Sequence, residues 1–308
     1  MGKVGKPRQI LVIQTALLGD AVYSAQFVNS LEPAKWERFI LASELNFQLF
    51  THICKAQVFK WKKTSLFDSV SIFSKLRTFH FDAIVHFSSS FRANFLASLL
   101  RYETLIESPS GITKSAFLEY LANIFDIKLK LPYLPIQQVQ SSNIPFKKYV
   151  CIFTGSSKKT KIYQNFWSII SYILNHSDIN VIVIGELESD AETKITTQHP
   201  GRVVRFKPAI DFPTLLSICE NSTAIISCDS LGAHLARGYN KPLCILFCGT
   251  SDEVGFFSSY SKVLKLYPPK ICCWPCSRGG LKSCPVGDYK CCKYELNLPV
   301  LTDFLRAA

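Results

Sequence analysis

The chain has 308 residues, of which 48% are hydrophobic and 19% charged, with a formal net charge of +12. That much apolar material excludes a disordered chain, and the length suits two domains of about 150 residues each. The charge surplus is uneven: residues 1–150 hold 18 Lys and Arg against 10 Asp and Glu, a surplus of 8, and residues 151–308 hold 17 against 13, a surplus of 4. The first half therefore suits an acidic partner more than the second: phosphorylated substrates, an anionic membrane surface or nucleic acid. No recognised nucleic-acid-binding motif accompanies the charge, so a nucleic-acid partner is not expected.

Along the chain, Lys3, Lys6 and Arg8 precede Ile10–Ile13 in the manner of a signal peptide. Gln14 and Asp20 interrupt the apolar stretch, and the segment also reads as strand, turn and helix. No apolar run reaches the length of a transmembrane helix. The expectation is a cytoplasmic protein, peripheral to a membrane at most. Strand-like Gln9–Gln14 leads to a helical pattern near Ala21–Leu31, Arg38–Ala42 to Glu44–Phe50, and Asp82–Phe87 to Arg92–Leu100. This is the βαβ rhythm of a parallel sheet. Pro132, Pro135 and Pro145, with polar residues between them, mark a linker. The rhythm restarts at Tyr149–Thr154, a helix near Phe166–Leu174 and the strand Asn180–Ile184. Further strands are expected at Val203–Phe206, Thr223–Ser227 and Leu243–Phe247, with a helix capped by Asp211 running through Ile218. The chain is thus of α/β class. Two Rossmann-like domains, 1–145 and 146–308, are expected to face each other across a cleft. The second domain carries a Cys-rich segment, 272–292, and a terminal helix within Leu296–Leu305.

Four loops at strand ends carry candidate chemistry. Thr15-Ala16-Leu17-Leu18-Gly19-Asp20 follows the first strand. Gly19 permits a tight turn there, and Asp20 is either a general base for a substrate hydroxyl or a helix cap. Thr154-Gly155-Ser156-Ser157-Lys158-Lys159-Thr160-Lys161 follows the first strand of the second half. It offers hydroxyls and lysines to a diphosphate but lacks P-loop spacing, and it reads equally as an exposed basic loop. Cys228-Asp229-Ser230-Leu231-Gly232-Ala233-His234 joins an apolar strand to a short helix. The free N–H groups of that helix start suit a phosphate, and an ordinary Asp cap is the alternative. Glu186 and Glu188, just past a strand end, suit a ribose hydroxyl or a solvated turn.

Six of the twelve cysteines, Cys54, Cys151, Cys219, Cys228, Cys244 and Cys248, are scattered and read as small core hydrophobes. The other six lie between Cys272 and Cys292. Among these, Cys273, Cys276, Cys284 and Cys291 have spacing that suits a structural zinc or iron. Thiols packing a C-terminal loop are the other reading, and a disulfide does not suit a reducing compartment.

Taken in order, these residues resemble glycosyltransferase family 9, the lipopolysaccharide heptosyltransferases. Ile10-Leu11-Val12-Ile13-Gln14-Thr15 with Leu18-Gly19-Asp20 is similar to the family's opening. Asp82-Ala83-Ile84-Val85 with Ser90-Phe91-Arg92 resembles its acceptor-domain segment. Asp229-Ser230 with His234-Leu235-Ala236 resembles its Asp-Ser-Gly-Pro-Met-His-Leu-Ala signature. Lys241-Pro242 and Leu246-Phe247-Cys248-Gly249-Thr250-Ser251 fit the strand and turn that follow it. Cys273-Trp274-Pro275-Cys276, Cys284-Pro285 and Cys291 resemble a C-terminal cysteine pattern many members carry. Two departures stand out. The signature's Gly-Pro is Leu231-Gly232, and the family's Lys-Arg-Trp-Pro segment is Lys161-Ile162-Tyr163-Gln164.

The resemblance implies a GT-B fold and an inverting transfer that requires no metal. A nucleotide-sugar donor, heptose from ADP-heptose, would bind the second domain, and an anionic lipid-linked saccharide at the inner membrane would bind the first. Asp20 would be the general base. Thr154, Lys161 (with Lys159 as rival), Ser230, Leu231 and Gly232 would hold the diphosphate. Asp229 and His234 would orient the helix start or the donor, and Glu188 or Glu186 would take the ribose. Thr15, Gly19, Lys60, Lys62 and Lys63 would face the acceptor, with Lys55, Phe59 and Trp61 in the same stretch, unless that stretch is only a solvated strand edge. Other readings are a hexosyltransferase using a UDP- or GDP-sugar and a non-catalytic binding member.

Overall fold

A computed structural model of the chain describes residues 6–62, 64–87, 90–109, 112–136, 144–187, 189–207 and 210–308. It divides into two units, Met1–Pro135 and Ile136–Ala308, with the division inside the proline-bearing segment read as a linker.

The first unit alternates strands and helices: β1 (Arg8–Gln14), α1 (Leu18–Ser30), β2 (Trp36–Ala42), α2 (Glu44–Ile53), β3 (Gln57–Lys60), α3 (Leu66–Leu76), β4 (Phe81–His86), α4 (Phe91–Ser98), β5 (Tyr102–Glu107) and α5 (Lys114–Ile124). Its strands form one sheet in the order β3-β2-β1-β4-β5, and every pairing is parallel. All carboxyl ends therefore lie on one edge. Central β1 is buried from Ile10 to Gln14, as a strand covered on both faces must be. One face carries α3 and α4, which send Ile72, Leu76, Ala93, Leu96 and Ala97 into a cluster with Leu11, Phe39, Trp61 and Phe81.

The second unit repeats the plan with β6 (Tyr149–Phe153), α6 (Phe166–His176), β7 (Asn180–Ile184), α7 (Ser189–Gln198), β8 (Val203–Phe206), α8 (Phe212–Asn221), β9 (Ala224–Cys228), α9 (Leu231–Gly238), β10 (Leu243–Leu246), β11 (Val263–Leu266) and α10 (Pro299–Arg306). The order is β11-β10-β9-β6-β7-β8, again parallel throughout. On one face α6 and α10 pack together with Tyr163, Cys291, Cys292 and Tyr294. The six scattered cysteines are buried, as expected of small core residues.

Trp61 corrects one expectation. In sequence Lys55, Lys60, Lys62 and Lys63 interleave with Phe59 and Trp61, and the stretch suits either an acidic acceptor or a solvated strand edge. Trp61 is instead buried, its indole N–H donating to Ser69 Oγ at 3.1 Å, and Phe59 stacks on Phe39 at 6.3 Å. Strand alternation turns the aromatics into the core and leaves Lys60 and Lys62 outside. Trp61→Ala is therefore expected to cost about 3–5 kcal/mol by urea unfolding of the full chain. A loss below about 1 kcal/mol would return Trp61 to the surface.

Candidate functional site

In the second sheet β6 and β9 are neighbours whose onward connections run opposite ways, β6 to β7 and β8, β9 to β10 and β11. That reversal opens a crevice at their carboxyl ends, the place where open α/β sheets take ligands. Thr154, Lys161, Asp229, Ser230, Leu231, Gly232 and His234 lie at or just beyond these strand ends or pair with residues that do. Asp229 directly follows β9, and one of its carboxylate oxygens lies 2.8 Å from Lys161 Nζ and accepts from Thr250 Oγ1 at 3.1 Å. Both side chains of the ion pair are only 12% exposed. Asp229 is therefore not the helix cap; that position is Ser230, whose hydroxyl does not cap either and lies 3.1 Å from Ser227 Oγ. The first turn of α9, beginning at Leu231, is left without a side-chain cap beside a buried ammonium. Gly232 is required by close packing: a Cβ there would sit 2.3 Å from the Phe153 ring.

His234 lies one turn into α9, buried, edge-on to Phe256 at 4.7 Å and tilted over Phe257 at 5.3 Å. Burial pushes its imidazole down to about 3, against the pull of the Asp229 carboxylate and with help from the Lys161 and Arg237 cations. Its Nδ1 has no hydrogen-bond partner among the described residues. His234 is a neutral wall of the site.

Thr154 ends β6, buried, and donates its hydroxyl to the Glu186 carbonyl at 2.8 Å. It ties the β6 and β7 loops together, and Gly185 at φ +125° makes room for it, since a Cβ there would lie 2.5 Å from Thr154 Oγ1. Glu186 faces solvent and pairs with Arg205 at 2.9 Å. Glu188 lies outside the described residues. Lys161, not Lys159, is the lysine that reaches Asp229.

The Cys-rich segment holds this site from behind. Thr160, buried beside Lys161, accepts from Leu281 N at 2.7 Å and donates to the Leu281 carbonyl at 3.1 Å through one hydroxyl. Its own carbonyl accepts from Gly249 N at 2.7 Å and from Cys292 Sγ at 3.5 Å. Cys276 Sγ donates to the Gly249 carbonyl at 3.3 Å. Gly280, at φ +78°, lies against the Lys161 stem; a Cβ there would be 2.5 Å from Lys161 Cγ and Cδ. In sequence Thr160 counts only among the hydroxyls of the diphosphate loop, Thr250 only within the family's strand and turn, and Gly280 has no role. A positive-φ glycine far along the chain carries no local sign of the lysine it shields. All twelve cysteines are free thiols. Among the described residues no group of three or more His, Cys, Asp or Glu is placed to hold a metal. The thiols of Cys273, Cys276, Cys284 and Cys291 have the donor chemistry for zinc or iron, and Cys276 and Cys291 each feel the charge of Cys284.

In the first unit the strand order reverses between β1 and β4. Thr15 follows β1, buried, while Gly19 and Asp20 fall in the first turn of α1, whose cap position is Leu17. Asp20 is therefore a first-turn carboxylate, not the cap. Asn46, missed in the sequence, braces this loop from α2: its buried side chain donates to the Ala16 carbonyl at 2.8 Å and to the Gln14 carbonyl at 3.4 Å. His86, at the end of β4, lies 3.5 Å from Glu107 Oε1. Lys60 closes β3 on the same edge, paired with Glu44 at 3.3 Å; Lys62 is exposed beside it. Lys63 lies outside the described residues.

Comparison with known proteins places this geometry. Residues 120–266 match the model of glycosyltransferase family 9 (heptosyltransferase). A family 9 glycosyl transferase from Veillonella parvula is 12% identical, with a TM-score of 0.74, over 98% of this chain and 98% of that one. Escherichia coli heptosyltransferase WaaC, solved with ADP-2-deoxy-2-fluoro heptose, is 12% identical, with a TM-score of 0.65, over 85% of this chain and 93% of that one. The iron-containing dodecameric glycosyltransferase TibC from enterotoxigenic E. coli is 13% identical, with a TM-score of 0.55, over 98% of this chain and 77% of that one. No curated protein sequence matches the chain. The fold is a heptosyltransferase-family glycosyltransferase fold, built from two Rossmann-like parallel sheets.

Two outcomes follow from the site geometry. Because His234 is held neutral when folded but titrates near 6.5 when unfolded, it makes stability fall as pH drops below about 6.5, with the loss complete near 3. NMR of the His234 ring is expected to show no titration between about pH 5 and 8; a midpoint near 6.5 would contradict the buried neutral ring. Gly280→Ala is expected to displace the Lys161 stem and lower stability to urea by more than about 1 kcal/mol, whereas Gly279→Ala, with open space at its Cβ, changes it by less than about 0.5 kcal/mol.

Proposed function

We propose that this protein is an inverting glycosyltransferase that moves a sugar, heptose from ADP-heptose, onto a lipid-linked anionic saccharide at the inner membrane. The observation that carries the reading is the Lys161–Asp229 pair at the strand-order reversal, under the uncapped start of α9. A diphosphate lying there accepts from the first-turn amides of α9, while the ammonium, with three donors, turns toward phosphate and keeps one contact to Asp229. As the sugar–phosphate bond breaks, the departing phosphate gains charge, and these preset donors stabilise it. Thr154 shapes the loop that would face the ribose, with Glu186 or Glu188 as its acceptor. His234, neutral and pressed against Phe256 and Phe257, walls the donor without adding charge.

Asp20 supplies the other half of the reaction. Its carboxylate takes the proton from the acceptor hydroxyl as that oxygen attacks the anomeric carbon on the face opposite the diphosphate. No step of this transfer passes through a metal. The first unit's positive surplus, with Lys60 and Lys62 on the edge that bears Asp20, draws the anionic acceptor.

Calorimetry with ADP, UDP and GDP is expected to show preferential ADP binding, reduced about 10- to 100-fold in Lys161→Ala once the variant's folding is verified. A clear preference for UDP would keep the diphosphate site and remove the heptose assignment; binding of none of the three would end the reading. Asp20→Asn is expected to lower the transfer rate by ~10²–10⁴ with ADP affinity unchanged. A near-normal rate in a folded Asp20→Asn protein would remove Asp20 from the mechanism.

A further inference from the structure

The outer faces of α3 and α4 carry a feature the transfer chemistry does not use. Both helices pack inward on one cluster: α3 through Ile72 and Leu76, α4 through Ala93, Leu96 and Ala97. Outward, α3 leaves Leu66 82% and Phe67 86% exposed, with Val70 beside them. On α4, Phe91 is 87% and Phe95 58% exposed, with Leu99 one turn further along the same stripe. The Phe91 and Phe95 rings stack at 6.5 Å. Single exposed apolar residues are ordinary, but two stripes on the same face of one sheet are not.

The charge around them is one-sided. Residues 55–101 contain eight Lys and Arg and two Asp and Glu. Both acids are engaged by backbone: Asp68 accepts from the Lys62 N–H, and Asp82 accepts from Gln9 N at 2.6 Å. Lys62, Lys75 and Arg77 are exposed. Exposed aromatic and aliphatic side chains on a stretch that also exposes Lys62, Lys75 and Arg77 match the composition of a surface lying in the headgroup region of an anionic bilayer. A second copy of the same face would bring like charge against like charge. Among the described residues no helix is long and apolar enough to cross a membrane, so contact through this face would be peripheral.

We propose that the α3–α4 face docks the first unit on an anionic phospholipid bilayer, with Leu66, Phe67, Phe91 and Phe95 entering the headgroup boundary and Lys62, Lys75 and Arg77 meeting lipid phosphates. This rests on the lipid-linked acceptor proposed above and deepens it. Both helices start at the carboxyl edge that bears Asp20, so docking sets that edge beside the membrane in which such an acceptor is anchored.

Flotation of the full chain with vesicles tests the surface apart from the chemistry. Binding is expected to vesicles of about three parts phosphatidylcholine to one part phosphatidylglycerol, to be weak to phosphatidylcholine alone, and to fall as salt rises from about 0.1 to 0.5 M. Phe67→Ser with Phe91→Ser is expected to lower binding about tenfold or more, and Lys75→Glu with Arg77→Glu to lower binding to anionic vesicles only. Both variants should keep the melting temperature and ADP affinity of the parent, because the altered side chains are exposed and outside the donor site. Three results would overturn the proposal: no binding of the parent chain to anionic vesicles, unchanged binding of the Phe variant, or a concentration-dependent dimer that the Phe variant abolishes. ADP binding in the same preparations reports separately on the transferase reading, so loss of one leaves the other legible.

Discussion

The second unit is organised around a lysine ammonium that has to be kept in a nearly dry crevice. Lys161 is held there by the Asp229 carboxylate at 2.8 Å, itself anchored by Thr250. A charge so placed is tolerable only while its partner and hydrogen bonds stay in position; removing one member of a buried pair typically costs ~3–5 kcal/mol. Much of the local architecture meets that demand. Thr160 clasps Leu281, Gly249 lets the 247–251 turn approach Thr160, and Gly280 closes over the lysine stem. The Cys-rich segment thus acts here as a brace, with Cys276 and Cys292 spending their S–H groups on the Gly249 and Thr160 carbonyls.

The two units share a solution to charge at a helix start. Helices α2, α3, α4, α5 and α8 have a Ser, Thr or Asp side chain accepting from the first turn. Helices α1 and α9, each following one strand of a strand-order reversal, do not, although α4, which follows the other strand of the first reversal, is capped by Ser90. α6 and α10 also lack such a cap, so an uncapped start alone marks nothing. The combination of reversal, open helix start and a charged residue within one turn selects Asp20 in the first unit and the Lys161–Asp229 pair in the second. In the proposed reaction the first takes a proton and the second receives a leaving diphosphate.

Much of this was legible in the sequence for a definite reason. Central strands such as Gln9–Gln14 and Asn180–Ile184 are buried on both faces, so they appear as unbroken apolar runs next to a polar turn. Several peripheral elements carry no such signal, although the edge strand Val203–Phe206 does. β3 has four residues, β5 buries only Ile106, and α7 has only Ala191 and Ile195 as apolar residues, so none shows a strong period. The choice between cap and site residue at Asp20 and Asp229 was not decidable from spacing, because both roles put an acid just after a strand. Only the positions of Leu17, Ser230 and Lys161 separate them. Trp61 misled because a short edge strand ending in lysines looks basic whichever way its aromatics turn.

The account's central claim is that a diphosphate binds between Lys161 and the start of α9. A crystal structure of the protein with ADP tests it most directly. The account predicts a phosphate oxygen within about 3 Å of Lys161 Nζ and within hydrogen-bond distance of a first-turn N–H of α9, with Asp229 still beside the lysine. ADP seated elsewhere, with the Lys161–Asp229 pair untouched and the α9 turn free of phosphate, would contradict it.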